Sequence, residues 1–144
     1  MLTLDTNSDR DAKALAMLQN DTIGWITTVN RRGKPRSVPV WFFWHDGRIV
    51  ILTQPGTAKL RNLAAGSPVQ FHLHAAGPFG DDVVIIDGDA EVTENGTAEW
   101  MLTHRDGYEA KYAAAIEGYG QPLDQIIDTF STTITITPQE LHAW

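Results

Sequence analysis

Three short stretches separated by turn sequences constrain the fold of this chain more than any other feature. Thr22–Val29, Arg36–His45 and Arg48–Thr53 are rich in β-branched and aromatic residues, which is typical of strands. Gly33 lies between the first two stretches, and the strong hairpin signal Asp46-Gly47 lies between the second and the third. The pattern predicts a three-stranded antiparallel meander that begins a larger sheet.

The second predicted strand contains Pro39. Proline has no N–H to donate to a neighbouring strand, so this strand is predicted to lie at a sheet edge or to carry a bulge. The same strand carries four consecutive aromatic residues, Trp41 to Trp44. Because side chains alternate across a strand, these four cannot all face one side.

The rest of the chain mixes helical and strand-like patterns. Ser8 precedes an apolar stripe and predicts a helix over about residues 9–19. Further helices are predicted at about 58–65, at 95–118 in two parts separated by Gly107, and at 122–129, with further strands at 69–74, 82–93 and 131–137. About six mostly antiparallel strands with helices around them predict a mainly β domain, a small barrel or curled sheet, rather than a parallel sheet.

Length and composition limit the function classes. A chain of 144 residues fits a single domain, 1–144. The absence of cysteine excludes disulfides and thiolate metal sites and fits a cytoplasmic protein. The net charge of −7 disfavours nucleic acid and anionic membranes as partners. The first ten residues are polar and acidic, unlike a signal peptide, and no apolar run is long enough to span a membrane.

The segment from Thr53 to Leu63 is the strongest candidate for a ligand site. A strand end, a glycine-containing loop and a helix start follow one another there, and free amides at a helix start favour phosphate. Thr57 is placed to cap the helix. Lys59 adds a cation in the first turn, which the helix dipole disfavours unless an anion is bound. The residues alone leave two interpretations open: a phosphate site, or a capped helix with a solvated lysine.

Residues 30–36 form a second candidate. Four of the eleven basic residues of this acidic chain lie there: Arg31, Arg32, Lys34 and Arg36. They are interpreted either as a solvated hairpin tip or as a landing site for an anionic ligand.

Other polar residues give weaker signals. His72 and His74 share one strand face but lack a third ligand at diagnostic spacing, so no metal site is predicted. Tyr108, Lys111 and Tyr112 indicate a helix face packed on the sheet or the lining of a substrate pocket. No Ser-His-Asp set or carboxylate pair stands out, and no catalytic side chain is predicted.

Several pieces of the sequence follow one another in a distinctive order: Gly33–Phe42, Asp46-Gly47-Arg48, Thr57-Ala58-Lys59, Arg61-Asn62-Leu63, Pro68-Val69 and Ile86–Val92. The same order is found in the pyridoxamine 5′-phosphate oxidase-like superfamily. Within it the chain resembles the flavin and deazaflavin oxidoreductases, above all the actinobacterial members that use coenzyme F420. The resemblance covers about residues 10–137 and implies a split β-barrel of the FMN-binding type.

The resemblance also implies a cofactor site. The phosphate turn of the classical oxidases reads Ser-Arg-Lys, and here Thr57 and Lys59 match its first and third positions, whereas Ala58 lacks the arginine. The missing charge disfavours FMN and favours F420, whose phosphodiester is less charged and whose tail is polyglutamate. The implied cofactor-binding residues are Lys59, Thr57, Asn62 and Arg61 around the phosphate, Pro39, Val40, Trp41 and Thr53 at the ring or its linker, and Lys34 and Arg36 toward the tail.

The function implied is an F420-dependent oxidoreductase that transfers a hydride between the reduced cofactor and a small conjugated acceptor. The family further implies a homodimer with its cofactor sites at the subunit interface. Two alternatives stay open: an FMN-binding oxidoreductase of the same fold, and a non-catalytic cofactor carrier or heme-binding relative.

Overall fold

The computed structural model describes residues 1–144 and contains four helices and seven strands. The helices are α1 (Asp9–Asn20), α2 (Ala58–Ala64), α3 (Gly96–Tyr119) and α4 (Leu123–Thr129). The strands are β1 (Gly24–Val29), β2 (Pro35–Val40), β3 (Phe43–His45), β4 (Arg48–Thr53), β5 (Val69–Leu73), β6 (Val84–Thr93) and β7 (Thr132–Ala143).

All seven strands belong to one antiparallel sheet in the order β2-β1-β5-β6-β7-β4-β3. Alternate residues of the strands, such as Ile26, Phe71 and Ile134, are fully buried. The sheet therefore curls around one apolar core, which α1 covers with Ala14 and Leu18. The predicted mainly β architecture, a split barrel with peripheral helices, is confirmed.

The prediction of a three-stranded meander is wrong in one respect, because its second strand is not continuous. The second predicted strand divides into β2, which pairs with β1, and β3, which pairs with β4, and these two lie at opposite edges of the sheet. Both hairpin turns form where predicted, with positive φ at Gly33, Asp46 and Gly47. The error arises because the chain crosses from one edge to the other at Trp41 and Phe42, and no local turn signal marks that crossing.

The crossing at Trp41 and Phe42 has no neighbouring strand to bond with, and side chains of α3 bond to its backbone instead. The N–H of Phe42 donates to the Tyr112 hydroxyl at 2.8 Å. The Phe42 carbonyl accepts from the Lys111 amine at 2.8 Å and lies 2.9 Å from the same hydroxyl. Both backbone groups of a buried residue are thereby satisfied, as buried polar groups require.

The prediction for Pro39 is confirmed, because β2 is an edge strand whose only partner is β1. The alternation of the aromatic run is confirmed as well. Phe42 is fully buried in the main core and Trp44 packs against it. Trp41 and Phe43 instead pack against a second cluster formed by α3 and α4.

The predicted division of a helix at Gly107 does not occur, and Gly88 lies inside the continuous strand β6. Helix α3 runs unbroken through Gly107, where an added Cβ would lie 3.1 Å from the Phe43 ring, so this glycine allows a close approach. Gly88 lies at a register shift between β6 and β7. An added Cβ there would lie 2.5 Å from the Thr137 carbonyl oxygen. The last strand extends to Ala143, beyond the predicted end at 137.

None of the four helices is both long enough and apolar enough to cross a lipid bilayer.

Candidate functional site

An apolar pocket of about 350 Å³ opens between the end of β2, the end of β4, helix α2 and the α3–α4 pair. Eight of its eleven lining residues are hydrophobic. The lining consists of Ile23, Pro39, Val40, Trp41, Leu52, Thr53, Lys59, Tyr108, Tyr119, Ile126 and Phe130. Five residues predicted from the sequence to contact a cofactor thus line one cavity: Pro39, Val40, Trp41, Thr53 and Lys59.

Aromatic rings build one wall of this apolar pocket. The Trp41 ring stacks on Tyr112 with centroids 4.8 Å apart and an interplanar angle of 10°. Tyr119 meets Trp41 edge-on at 6.2 Å and Phe130 at 6.3 Å. Flat aromatic surfaces of this kind favour stacking of a planar ring.

Lys59 is the one charged side chain in the lining of the apolar pocket. Desolvation by its half-buried surroundings lowers the pKa of Lys59, and no neighbouring carboxylate opposes that shift. An unpaired cation in an apolar cavity is unfavourable, and an anionic ligand group beside it would remove the penalty. The position therefore suits a ligand that carries negative charge at one end of an aromatic body.

Thr57 occupies the N-cap position of α2, yet its hydroxyl does not cap the helix. Its Oγ1 is buried and has no hydrogen-bond partner. A buried polar atom without a partner costs free energy, and an acceptor or donor on a ligand would satisfy it. The predicted capping bond is therefore wrong, whereas the free hydroxyl fits the predicted role of Thr57 in holding a ligand. Because α2 spans only seven residues, we assign no role to its dipole.

A second cavity, the basic cleft, has a volume of about 650 Å³ and lies between the β1–β2 hairpin and α2. Its lining contains no carboxylate and only two hydrophobic residues. The lining consists of Asn30, Arg31, Arg32, Lys34, Arg36, Arg61, Asn62, Ala64 and Ala65. The basic hairpin is thus joined by a fifth cation from α2, so the cleft concentrates positive charge on an otherwise acidic chain.

The two predicted residues on α2 that face this cleft also have structural bonds. The Asn62 amide donates to the Thr28 hydroxyl on β1 at 3.0 Å. The Arg61 guanidinium donates to the Gly56 carbonyl in the preceding loop. These bonds fix α2 against β1 and leave further guanidinium donors of Arg61 available.

The two cavities share β2 and α2. Strand β2 contributes Arg36 to the basic cleft and Pro39 to the apolar pocket, while α2 contributes Arg61 to the former and Lys59 to the latter. The sequence-predicted site residues are therefore distributed over two cavities along the same two elements. Thr57, at the start of α2, is part of neither lining.

The sequence offered a pocket lining only as one of two interpretations of Tyr108, and it gave no indication of the rest of the helical side of the apolar pocket. Tyr108 and Tyr119 on α3, and Ile126 and Phe130 at α4, line it. The sequence does point to two of the tyrosines, because Tyr108 and Tyr112 are four residues apart and therefore lie on one helix face. Both of these tyrosines are fully buried, and burial raises the pKa of each of their hydroxyls above the range in which tyrosine titrates. Phe130 carried no signal because it follows the end of a helix.

Lys111 and the histidines take other roles. Lys111 is half-buried, with its amine 3.8 Å from the centre of the Phe42 ring, and desolvation lowers the pKa of Lys111 to about 8 against the opposing charge of Asp21. His72 stacks on Trp25, with ring centroids 6.1 Å apart, and His74 lies 6.0 Å from the same ring. His72 and His74 line neither of the two cavities described above.

The fold and these cavities define a split β-barrel of the flavin-binding class. The family described as pyridoxamine 5′-phosphate oxidase matches residues 11–144, and the chain belongs to this family. No curated protein matches the chain.

The solved structures that share this fold include two proteins that are named for different cofactors. An F420 reductase aligns with a TM-score of 0.63 at 19% identity over 88% of this chain and 94% of its own. A FAD-binding protein from Mesorhizobium loti aligns with a TM-score of 0.66 at 15% identity over 92% of this chain and 91% of its own. General Stress Protein 26 from Bacillus anthracis aligns with a TM-score of 0.64 at 18% identity, covering 92% and 91%. At these identities the likeness concerns the fold alone.

Proposed function

We propose that this protein is an oxidoreductase that binds the deazaflavin coenzyme F420 and transfers a hydride between the reduced cofactor and a small conjugated acceptor. One observation carries the proposal: an aromatic-walled pocket with a single unpaired lysine shares two elements with a cleft lined by five cations. A ligand with a planar ring at one end and several negative charges at the other matches that arrangement.

The apolar pocket suits the ring end of such a ligand. Trp41 offers a flat surface already backed by Tyr112, and Pro39 lies on the unpaired edge of the sheet, where backbone groups of β2 are free to bind a ring. Lys59 and the unpaired Thr57 hydroxyl would hold the adjoining phosphate. Ala58 adds no charge beside them, which suits a phosphodiester better than the dianionic phosphate of FMN.

The basic cleft suits the anionic tail. From Pro39 to Arg36 the chain follows an extended strand and covers roughly 10 Å at about 3.3 Å per residue. Lys34, Arg36 and Arg61 would then contact carboxylates beyond the phosphate. No carboxylate of the protein lines the cleft to compete with them.

The cofactor, when bound, supplies the hydride chemistry, and the protein supplies position and electrostatics. The Trp41 wall orients the ring, the apolar lining excludes water, and Lys59 balances negative charge. Neither cavity contains a carboxylate or a histidine. Transfer of the hydride itself needs no protein acid or base, and the proton that the reduced acceptor also takes up would come from solvent.

We propose further that the protein acts as a homodimer. Strand β2 presents exposed residues along nearly its whole length at a sheet edge, and Tyr119 at the apolar pocket is 46% exposed. A second subunit over this region would close the cofactor site.

A titration of the purified protein with F420, FMN and hemin, followed by fluorescence and absorbance, tests the proposal. We expect saturable binding of F420 that is tighter than that of FMN and hemin. FMN that co-purifies with the protein, together with no binding of F420, would refute the proposed cofactor. Oxidation of reduced F420 by a conjugated acceptor separates an enzyme from a cofactor carrier.

A further inference from the structure

The outer face of the sheet, away from both cavities, carries a compact group of potential metal ligands. Asp87 on β6 and Glu140 and His142 on β7 place one ligand atom each within 4.8 Å of one another. The group combines an imidazole with two carboxylates, a donor set that zinc and similar transition metals use.

The register of β6 and β7 brings these residues together. Asp87 lies directly opposite Glu140, and Ile85 lies opposite His142 two positions further along the two strands. Glu140 and His142 are two residues apart on one strand, so their side chains point to the same face. Between them, Leu141 is buried in the main core, which places the group on the outward face of a rigid part of the sheet.

Two of the three ligand-atom distances lie close to the spacing in a metal tetrahedron. The His142 Nε2 atom lies 3.3 Å from the Asp87 Oδ2 atom and 3.7 Å from the Glu140 Oε1 atom. Ligand atoms that lie 2.0–2.1 Å from a tetrahedral zinc ion are separated from one another by about 3.3–3.4 Å. All three atoms lie within 4.8 Å of one another, so side-chain rotation would have to bring the two carboxylates closer for an ion to be held by all three residues.

A residue outside the group orients one ligand. The Gln70 amide on β5 donates to the Asp87 Oδ1 atom at 2.8 Å, which leaves the Oδ2 atom directed toward His142. Hydrogen bonds of this kind from a second layer of residues fix the ligands of metal sites and raise their affinity. The three ligands remain between 42% and 66% exposed, so an ion has free access and a fourth position stays open for water or another ligand.

We propose that Asp87, Glu140 and His142 form a binding site for a divalent transition metal of the zinc class. The site lies apart from the proposed cofactor site and does not depend on it. With three protein ligands and one open position, it has the coordination of a zinc site that accepts an exogenous ligand. The sequence alone gave no reason to expect it, because its third ligand is separated from the other two by more than fifty positions.

Isothermal titration of the purified full-length protein with ZnCl₂, in a buffer without chelator, tests the site. We expect one ion bound per chain, and weaker binding by at least tenfold in His142→Ala and in Asp87→Asn. These residues are partly exposed, so neither change should disturb folding. His45→Ala, which removes an exposed histidine from the β3–β4 hairpin, is the matched control and should bind zinc like the wild type.

Two further measurements sharpen the test. Gln70→Ala should weaken zinc binding by about tenfold if Gln70 orients Asp87. MgCl₂ should not displace Co²⁺ bound as a spectroscopic probe, because magnesium disfavours an imidazole ligand. The proposal fails if zinc binding is undetectable at about 1 mM, survives unchanged in His142→Ala, or is matched by magnesium.

Discussion

At the scale of single residues, two lysines are held in partly apolar surroundings, and each has a different consequence. Lys59 faces the apolar pocket with no protein anion beside it, whereas Lys111 is bonded to the Phe42 carbonyl at the crossing between β2 and β3. Desolvation lowers the pKa of both lysines. We assign the first to ligand binding and the second to the architecture that holds Trp41.

Replacement of Lys59 by methionine should weaken cofactor binding. The change keeps the apolar stem and removes the charge, so a charge-assisted contact worth about 1.5–3 kcal/mol is lost. This corresponds to a dissociation constant roughly 10- to 100-fold higher in a fluorescence titration with F420. Lys13→Met, on α1 and paired with Asp82, is the control and should leave the constant unchanged. An equal constant for wild type and Lys59→Met would remove Lys59 from the site.

Replacement of Lys111 by methionine should change the pH dependence of stability. The pKa of Lys111 is about 8 in the folded protein against 10.5 for an unperturbed lysine. Between those values the unfolded chain binds more protons, so the wild-type free energy of unfolding should rise with pH. After allowance for solvent screening of this partly exposed group, we expect a rise on the order of 1–2 kcal/mol.

Urea denaturation at several pH values from about 7.5 to 10.5 measures this effect of Lys111. The informative range runs from about pH 8 to 10.5, because the folded and unfolded chains differ there in the protonation of Lys111. The difference in unfolding free energy between wild type and Lys111→Met should shift in favour of the wild type as the pH rises. Parallel curves for the two proteins would contradict a lowered pKa.

At the scale of elements, α3 decides where the chain leaves β2. The Tyr112 hydroxyl accepts a hydrogen bond from the Phe42 N–H, and the Tyr112 ring stacks on Trp41. One side chain therefore fixes both the crossing and a wall of the apolar pocket. Strands β2 and β3, on either side of the crossing, lie at opposite edges of the sheet, so no neighbouring strand bonds to the backbone of the crossing. The pocket therefore depends on a helix that follows it by some seventy residues in the chain.

Tyr112→Phe should destabilise the protein by about 1–3 kcal/mol, because it leaves the buried Phe42 N–H without an acceptor. The midpoint of urea unfolding measures this loss. Tyr119→Phe is the matched control on the same helix, since Tyr119 is partly exposed and makes no comparable bond, and it should change stability by less than about 0.5 kcal/mol. A similar small effect in both variants would contradict the bracing role of Tyr112.

The β1–β2 hairpin and α2 together form the basic cleft, and their charges should act through long-range attraction. In the double variant Lys34→Ala/Arg36→Ala, binding of F420 should weaken and should depend less on salt between about 50 and 300 mM NaCl. Arg48→Ala, at the other hairpin and near Asp46, is the control. An unchanged salt dependence in the double variant would show that the cleft does not bind the tail.

At the scale of the whole molecule, the apolar pocket lies beside the exposed edge strand β2, where we propose that a second copy closes the site. Sedimentation equilibrium at micromolar concentrations should therefore give a mass near twice 15.9 kDa. Titration of the cofactor should then saturate at two molecules per dimer. A monomer that binds the cofactor with full affinity would contradict the proposed interface site.

The sequence determined much of this protein because its signals are local. β-Branched stretches, the Gly33 and Asp46-Gly47 turns, the Ser8 helix start and Pro39 predicted most elements and the edge position of β2. Together with the resemblance to the oxidase family, they predicted five residues that line the apolar pocket and four that line the basic cleft.

Only the tertiary structure decided how these elements are connected in space. The crossing at Trp41 and Phe42 separates β2 from β3 because its backbone groups bond to Tyr112 and Lys111, whose positions no local pattern specifies. Helix α3 continues through Gly107, and the missing side chain there leaves room for the Phe43 ring to pack closely against the helix. The helical wall of the pocket and the Asp87–Glu140–His142 group arise in the same way, from residues distant in sequence that strand register and helix packing bring together.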